Sequence, residues 1–404
     1  MNLRRALAAV ALGGLGSVAA CSGGSVGSSP PAPTPVQPPT AWVVSLGDSY
    51  ISGEGDRWAG NTTQDFGNVD ALGPSAYTGP GGLEEIPGCH RADLPEVAVD
   101  TGSVAGKNLA CSGAETSSKT EGVLFKPGID FYQNGRRVGQ ALALERFARH
   151  HPVTAVVLSI GGNDFHFSTI LTRCVLDFFL TAGQPRPYYC SDDGGLAPYF
   201  TAAHVAEVRT RIRAAVDNIA TAMRRAGSTP SDYRLIVQGY PSPVPPGGRF
   251  RYPQTSAGRF DLGSCPLFNR DASWADATVL TTINDTVRRA ARASGLPNVT
   301  FLDMSQAFVG HRLCERGAAQ LQESGLASWR SPGAANALEW VNQIYLKGAP
   351  WEIQESAHPN YWGTAAERNC LRQVVASTTS ASVACVRDGT AMVGREPAMK
   401  LVGD

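Results

Sequence analysis

The stretch Val43-Val44-Ser45-Leu46-Gly47-Asp48-Ser49-Tyr50 constrains this chain more than any other: an apolar run stops abruptly at a glycine, an acid and a serine. Small and apolar residues bounded by a glycine turn suit a buried parallel strand, which leaves Ser49 just past its carboxyl end. In open α/β sheets that is where ligands bind. A serine on a tight strand-to-helix turn holds its hydroxyl clear of the backbone, and helix-terminal N–H groups there can face a developing oxyanion. Taken alone, Gly-Asp-Ser is more often an Asx or Ser turn that caps a helix.

The rest of the chain supports a sheet of this kind. From residue 41 onward strand-like and helix-like segments alternate, the pattern of a mainly parallel sheet. After the first strand, the residues predict strands near 107–111, 154–160, 234–238 and 298–303, and helices near 137–150, 198–226, 273–294 and 363–376. Two loops stand out. Residues 53–88 are Gly-rich and too long for a simple connection, so they are expected to form part of a binding surface. Residues 239–265, rich in Pro, Arg and aromatics, should sit over the same end of the sheet. Without an internal repeat or a second linker, residues 41–404 are expected to be one domain.

The opening residues belong to something else. A basic pair, Arg4-Arg5, precedes a small and apolar run over residues 6–20, short for a membrane span and suited to a signal-peptide core. Its end, Val18-Ala19-Ala20-Cys21-Ser22, resembles a bacterial lipobox, where cleavage precedes a cysteine that carries lipid. The alternative is ordinary cleavage with Cys21 lost or idle. Arg4-Arg5 leaves Sec and twin-arginine export both open. Residues 21–40 are Gly/Ser-rich, then Pro-rich, and read as a tether. A formal G-x-S-x-G match at Gly23-Gly24-Ser25-Val26-Gly27 has no strand before it and no helix after it, so it is spurious.

Cysteine usage agrees with export. Nine cysteines less Cys21 leave an even number, expected as disulfides. The simplest scheme joins neighbours: Cys89 with Cys111, Cys174 with Cys190, Cys265 with Cys314, and Cys370 with Cys385. None shows zinc-site spacing, so no metal and no cofactor is expected. The formal net charge of zero favours no nucleic-acid partner.

Chemistry converges where three loops leave the first three strands, carrying Ser49, Gly113 and Asn163. In a parallel sheet these loops share one edge. A serine nucleophile needs a base from elsewhere in the fold, and donors for a tetrahedral oxyanion. The Ser49 and Gly113 N–H groups and the Asn163 amide suit the second need, and glycine at 113 allows close approach.

Four blocks in this order, Gly47-Asp48-Ser49, the Gly113 segment, Gly161-Gly162-Asn163-Asp164 and His358-Pro359, resemble the SGNH subgroup of the GDSL esterases and lipases. The likeness is to its secreted actinobacterial branch. It implies a three-layer α/β/α flavodoxin-like fold, to which the residues themselves add an expected mainly parallel five-stranded sheet and long disulfide-containing loops. It further implies a serine hydrolase with Ser49 as nucleophile, Gly113 and Asn163 in the oxyanion hole, and His358 as general base. The acid expected three residues before that histidine is Glu355 rather than Asp. Either Glu355 orients His358, or a backbone carbonyl does so.

The other histidines invite structural readings. His150 and His151 close a helix, where a cation suits the dipole. His204 is expected on a solvated helix face, and His90 and His311 lie beside Cys89 and Cys314 in disulfide-held loops. His166 lies near the crevice. Asp48 and Asp164 are expected to orient the turns beside Ser49 and Asn163. The leading function is hydrolysis of lipid or small acyl esters by a monomer, with membrane contact through the lipid anchor. O-acetyl ester hydrolysis or acyl transfer on polysaccharide is a second reading, and a surface lipoprotein without catalysis a third.

Overall fold

The computed structural model describes residues 40–403 apart from 64–68, 80, 346–352 and 378–381. The expectations for the leader, Cys21 and the tether fall on residues outside the described ones. The main sheet contains β1 (Ala41–Gly47), β2 (Val104–Asn108), β3 (Val153–Ser159), β4 (Arg234–Gln238), β5 (Val299–Asp303), β6 (Val383–Val393) and β7 (Glu396–Gly403). Across the sheet they run β7-β6-β5-β4-β3-β1-β2. All neighbours are parallel except the hairpin of β6 and β7. The first five follow the 2-1-3-4-5 order of flavodoxin-like sheets, whose switch point lies between β1 and β3.

Strands β1 and β3 each have a neighbour on both sides, and Val43, Val44, Leu46, Val156, Val157 and Leu158 are fully buried. This is why both stretches read as near-continuous apolar runs. The expected five strands are corrected to seven. The hairpin escaped notice because β6 carries Arg387 and Asp388 and is mostly exposed beyond its first residues, so it lacks an apolar pattern. Only Val383 and Ala384 pair with β5. Strand β2 also begins earlier than predicted. Residues 97–98 cross it so closely that a Cβ on Gly106 would lie 2.0 Å from the Val97 carbonyl oxygen.

Helices Gln140–Ala148, Ala202–Arg225 and Tyr361–Ala376 occupy predicted positions. The helix expected over 273–294 starts at Asn269 and passes through a π-helical stretch, Ala275–Leu280, before Thr281–Ala293. A further helix, Phe167–Thr181, was not foreseen. Its exposed side carries Leu176, Phe179 and Leu180 as well as polar residues, which blurs the apolar period. The four neighbour pairings are all present: Cys89–Cys111, Cys174–Cys190, Cys265–Cys314 and Cys370–Cys385.

Candidate active site

Gly47 ends β1 with φ +144, and a Cβ there would lie 2.0 Å from the Ser159 carbonyl oxygen, so only glycine fits. The Gln140 amide clamps this residue, accepting from Gly47 N at 2.8 Å and donating to Gly47 O at 2.8 Å. Asp48 then caps the short helix Ser49–Ser52 by accepting from Tyr50 N at 3.2 Å. Its other oxygen accepts the Tyr240 hydroxyl, which itself accepts from Gly162 N at 2.9 Å. Tyr240, which the sequence did not single out, thus ties together the ends of β1, β3 and β4. Burial pushes Asp48 up to about 7 in spite of the hydrogen bonds from Tyr240 and Tyr50.

His358 arrives from the other end of the chain, with Nε2 2.7 Å from Ser49 Oγ. Its Nδ1 lies 3.1 Å from the Ser356 carbonyl oxygen. A carbonyl only accepts, so Nδ1 carries the hydrogen and Nε2 is left to accept from the serine hydroxyl. The ring is aimed by a sharp turn at Ala357, φ +60, whose carbonyl accepts the Tyr50 hydroxyl at 2.9 Å. Burial lowers the His358 pKa, against the pull of the Glu54 carboxylate, and keeps the ring neutral at neutral pH.

Glu355 is not where a triad acid would be. Its Oε2 accepts from Trp58 Nε1 at 2.6 Å, and the Tyr77 hydroxyl bonds the same carboxylate. Of the two acceptors that the sequence left open, it is the Ser356 carbonyl that the left-handed turn at Ala357 brings to Nδ1. The Glu355 side chain instead faces the long loop after the first helix. Burial raises its pKa.

Asn163 lines the same crevice as Ser49, Gly162 and Tyr240. One of its amide hydrogens goes to the Ala114 carbonyl at 2.9 Å, and the amide has a second to give. Gly113 follows β2 with φ +73. Among the described residues, neither its N–H nor that of Ser49 has a hydrogen-bond partner. Asp164 joins the two loops, accepting from Thr116 N at 3.1 Å and from its hydroxyl at 2.7 Å.

Glu54 is the acid that sequence reasoning missed. It is 1% exposed and lies between Gly53 and Gly55, both at positive φ. Its Oε1 is 2.8 Å from His90 Nδ1, and Oε2 accepts the Ser112 hydroxyl. An acid between two glycines, five residues after Ser49, was the available signal. His90, read only as a loop residue, is thereby an ion-pair partner. His204, expected to be solvated, places Nε2 3.2 Å from the Asp164 carbonyl. His151 binds the Phe147 carbonyl at 2.9 Å, His311 stacks on Trp340 at 4.1 Å, and His166 packs on Tyr199 at 4.4 Å.

Beside Ser49 the crevice continues into a narrow apolar recess lined by Phe167, Ile170, Leu171, Val244, Val279 and Leu280. Phe167 and Leu280 border both spaces. The π-helical stretch supplies Val279 and Leu280, in line with the frequent use of such irregularities at functional sites.

No family model and no curated protein matches the chain. Among solved structures it is similar to an extracellular lipase from Streptomyces rimosus, at 20% identity over 83% of this chain and 100% of that one, TM-score 0.44. It is also similar to phospholipase A1 from Streptomyces albidoflavus NA297, at 19% identity over 83% and 99%, TM-score 0.43. A family two carbohydrate esterase from Clostridium thermocellum matches at 11% identity over 84% and 64%, TM-score 0.38.

Proposed function

We propose that this chain is a serine hydrolase of carboxylic esters, of the SGNH type, with helices on both faces of the sheet in a three-layer α/β/α arrangement. Ser49 is the nucleophile and His358 the general base. The observation that carries this reading is the 2.7 Å approach of His358 Nε2 to Ser49 Oγ, with the tautomer set by the Ser356 carbonyl. As Oγ attacks the ester carbonyl, its proton passes to Nε2, and the oxyanion is received by the Ser49 and Gly113 N–H groups and the Asn163 amide. The imidazolium returns the proton to the leaving alcohol, and water, activated by the same base, hydrolyses the acyl-enzyme.

The apolar recess favours an acyl chain longer than acetyl, hence lipid-like esters over O-acetyl polysaccharide. A fluorophosphonate probe should label the native protein, and Ser49→Ala should remove both labelling and turnover with little change in Tm. Turnover near wild type in that variant overturns the assignment. Across esters of rising chain length, kcat/KM should peak beyond acetyl; a maximum at acetyl instead favours the polysaccharide reading. The four disulfides fit an oxidising, exported setting. We further propose a lipid anchor at Cys21; fatty-acid label that survives Cys21→Ala refutes it.

A further inference from the structure

The Ser356 carbonyl sets the tautomer of His358 but carries no net charge. A buried imidazolium is costly without a nearby negative charge, and in a triad the acid supplies it from the Nδ1 side. Here Glu355 is bonded to Trp58 and Tyr77. A second carboxylate approaches from the opposite edge of the ring, with Glu54 Oε2 4.0 Å from His358 Nε2. The backbone is shaped to bring it there. A Cβ on Gly55 would lie 2.6 Å from the Pro359 carbonyl oxygen and 3.2 Å from His358 Cβ, so glycine lets this loop lie against the histidine segment.

We propose that Glu54 is a positioning residue of the Ser49–His358 reaction, whose buried carboxylate stabilises the imidazolium formed when His358 takes the serine proton. This rests on the function proposed above. The proton moves from Ser49 Oγ to Nε2 and on to the leaving alkoxide; Glu54 takes none. Burial alone would favour its neutral form, but the His90 hydrogen bond, the charges of His358 and His90 and the Ser112 hydroxyl hold the carboxyl below its usual value. The same contacts locate it. Ser112 adjoins Gly113 and accepts from Gln354 Nε2 at 2.7 Å, while His90 Nε2 is 3.3 Å from Glu84. Lys126, Glu355 and Tyr77 are the other ionisable groups whose charges act on Glu54 or respond to it. His90 offsets part of the carboxylate charge; burial opposes its cation, yet Glu54 and Glu84 raise its pKa overall.

The test is the pH profile of kcat/KM on a short soluble ester, whose acid limb reports deprotonation of the base. Glu54→Gln keeps the shape and removes the charge, so the limb should move down by about one unit and kcat fall about tenfold or more, with KM near wild type. Ser112→Ala removes a hydrogen bond and keeps the charge, so the limb should not move down. His90→Gln removes the opposing cation and should move the limb up. An unmoved limb in Glu54→Gln, or a downward shift in Ser112→Ala, overturns the proposal. Should Glu54→Gln fail to fold, His90→Gln decides alone, an unmoved or lowered limb being fatal. Ser49→Ala in the same assay separates the two failures. Activity there overturns the serine mechanism itself, whereas an inactive Ser49→Ala beside an unmoved limb in Glu54→Gln overturns only the role of Glu54.

Discussion

Glu54 and Asp56 lie two residues apart and are each 1% exposed, yet burial has opposite outcomes for them. Glu54 meets an imidazole and a hydroxyl, and its carboxyl is held below its usual value. Asp56 accepts one hydroxyl, from Thr364, while its second oxygen has no hydrogen-bond partner among the described residues. Its electrostatic neighbours include Glu96, and it acts with Glu96 on Glu367, whose two carboxyl oxygens are also without partners. Burial pushes Asp56 and Glu367 well up, and Glu96 to about 7, with Arg368 only partly offsetting it. Depth alone therefore does not set charge; the donors that meet the carboxyl do. One side of this loop keeps a carboxylate beside the His358 imidazole, and the other holds acids that burial drives towards the neutral form.

That contrast can be broken at several points. The largest expected effect is at the oxyanion. Asn163→Ala should lower kcat by roughly 10²–10³-fold by removing one donor. Unlike Glu54→Gln it should leave the acid limb in place, since no charge is lost. A rise in KM at constant kcat would make Asn163 a binding residue instead.

The neutral acids should show in stability rather than turnover. A carboxyl whose folded pKa is raised contributes stability that is complete below its unfolded pKa and lost as pH rises through the folded value. For Glu96, which burial raises from 4.5 to about 7, that stability is lost as pH rises through neutrality towards 9. Glu96→Gln should flatten that decline, making the variant the more stable protein at pH 9 and little different at pH 4, as read from denaturant midpoints. Parallel pH curves for variant and wild type would show that Glu96 is charged in the fold, and the contrast would fail.

The smallest effect is expected at Glu355. With Nδ1 on the Ser356 carbonyl, Glu355→Gln should change kcat less than tenfold, or about 1.4 kcal/mol. A larger loss, accompanied by a shift of the acid limb, would restore Glu355 as the orienting acid.

The difference between these carboxylates also marks how far the residues could be read in order. Strands β1 and β3 were legible because central parallel strands are apolar on both faces, and Gly47-Asp48-Ser49 because its glycine is sterically required. The neighbour pairing of cysteines was legible because the joined residues are close in sequence, as with Cys370 and Cys385, 15 apart. The helix Phe167–Thr181 and the hairpin of β6 and β7 were not, since one is apolar on several sides and the other is a charged, half-exposed edge.

By itself the sequence determined what depends on local chemistry: the buried runs, the glycine turns, and the ordered blocks that place Ser49, Gly113, Asn163 and His358 as candidates. Tertiary structure alone decided which acceptor reached His358 Nδ1 and which acid stood beside Nε2. Glu355, three residues away, turned aside to Trp58, 297 residues distant, while Glu54 was brought to His358 across the whole domain. The reason is physical. The left-handed turn at one residue, Ala357, presents a main-chain acceptor to Nδ1, and the partners of a buried carboxyl are set by packing between distant segments that no local pattern encodes.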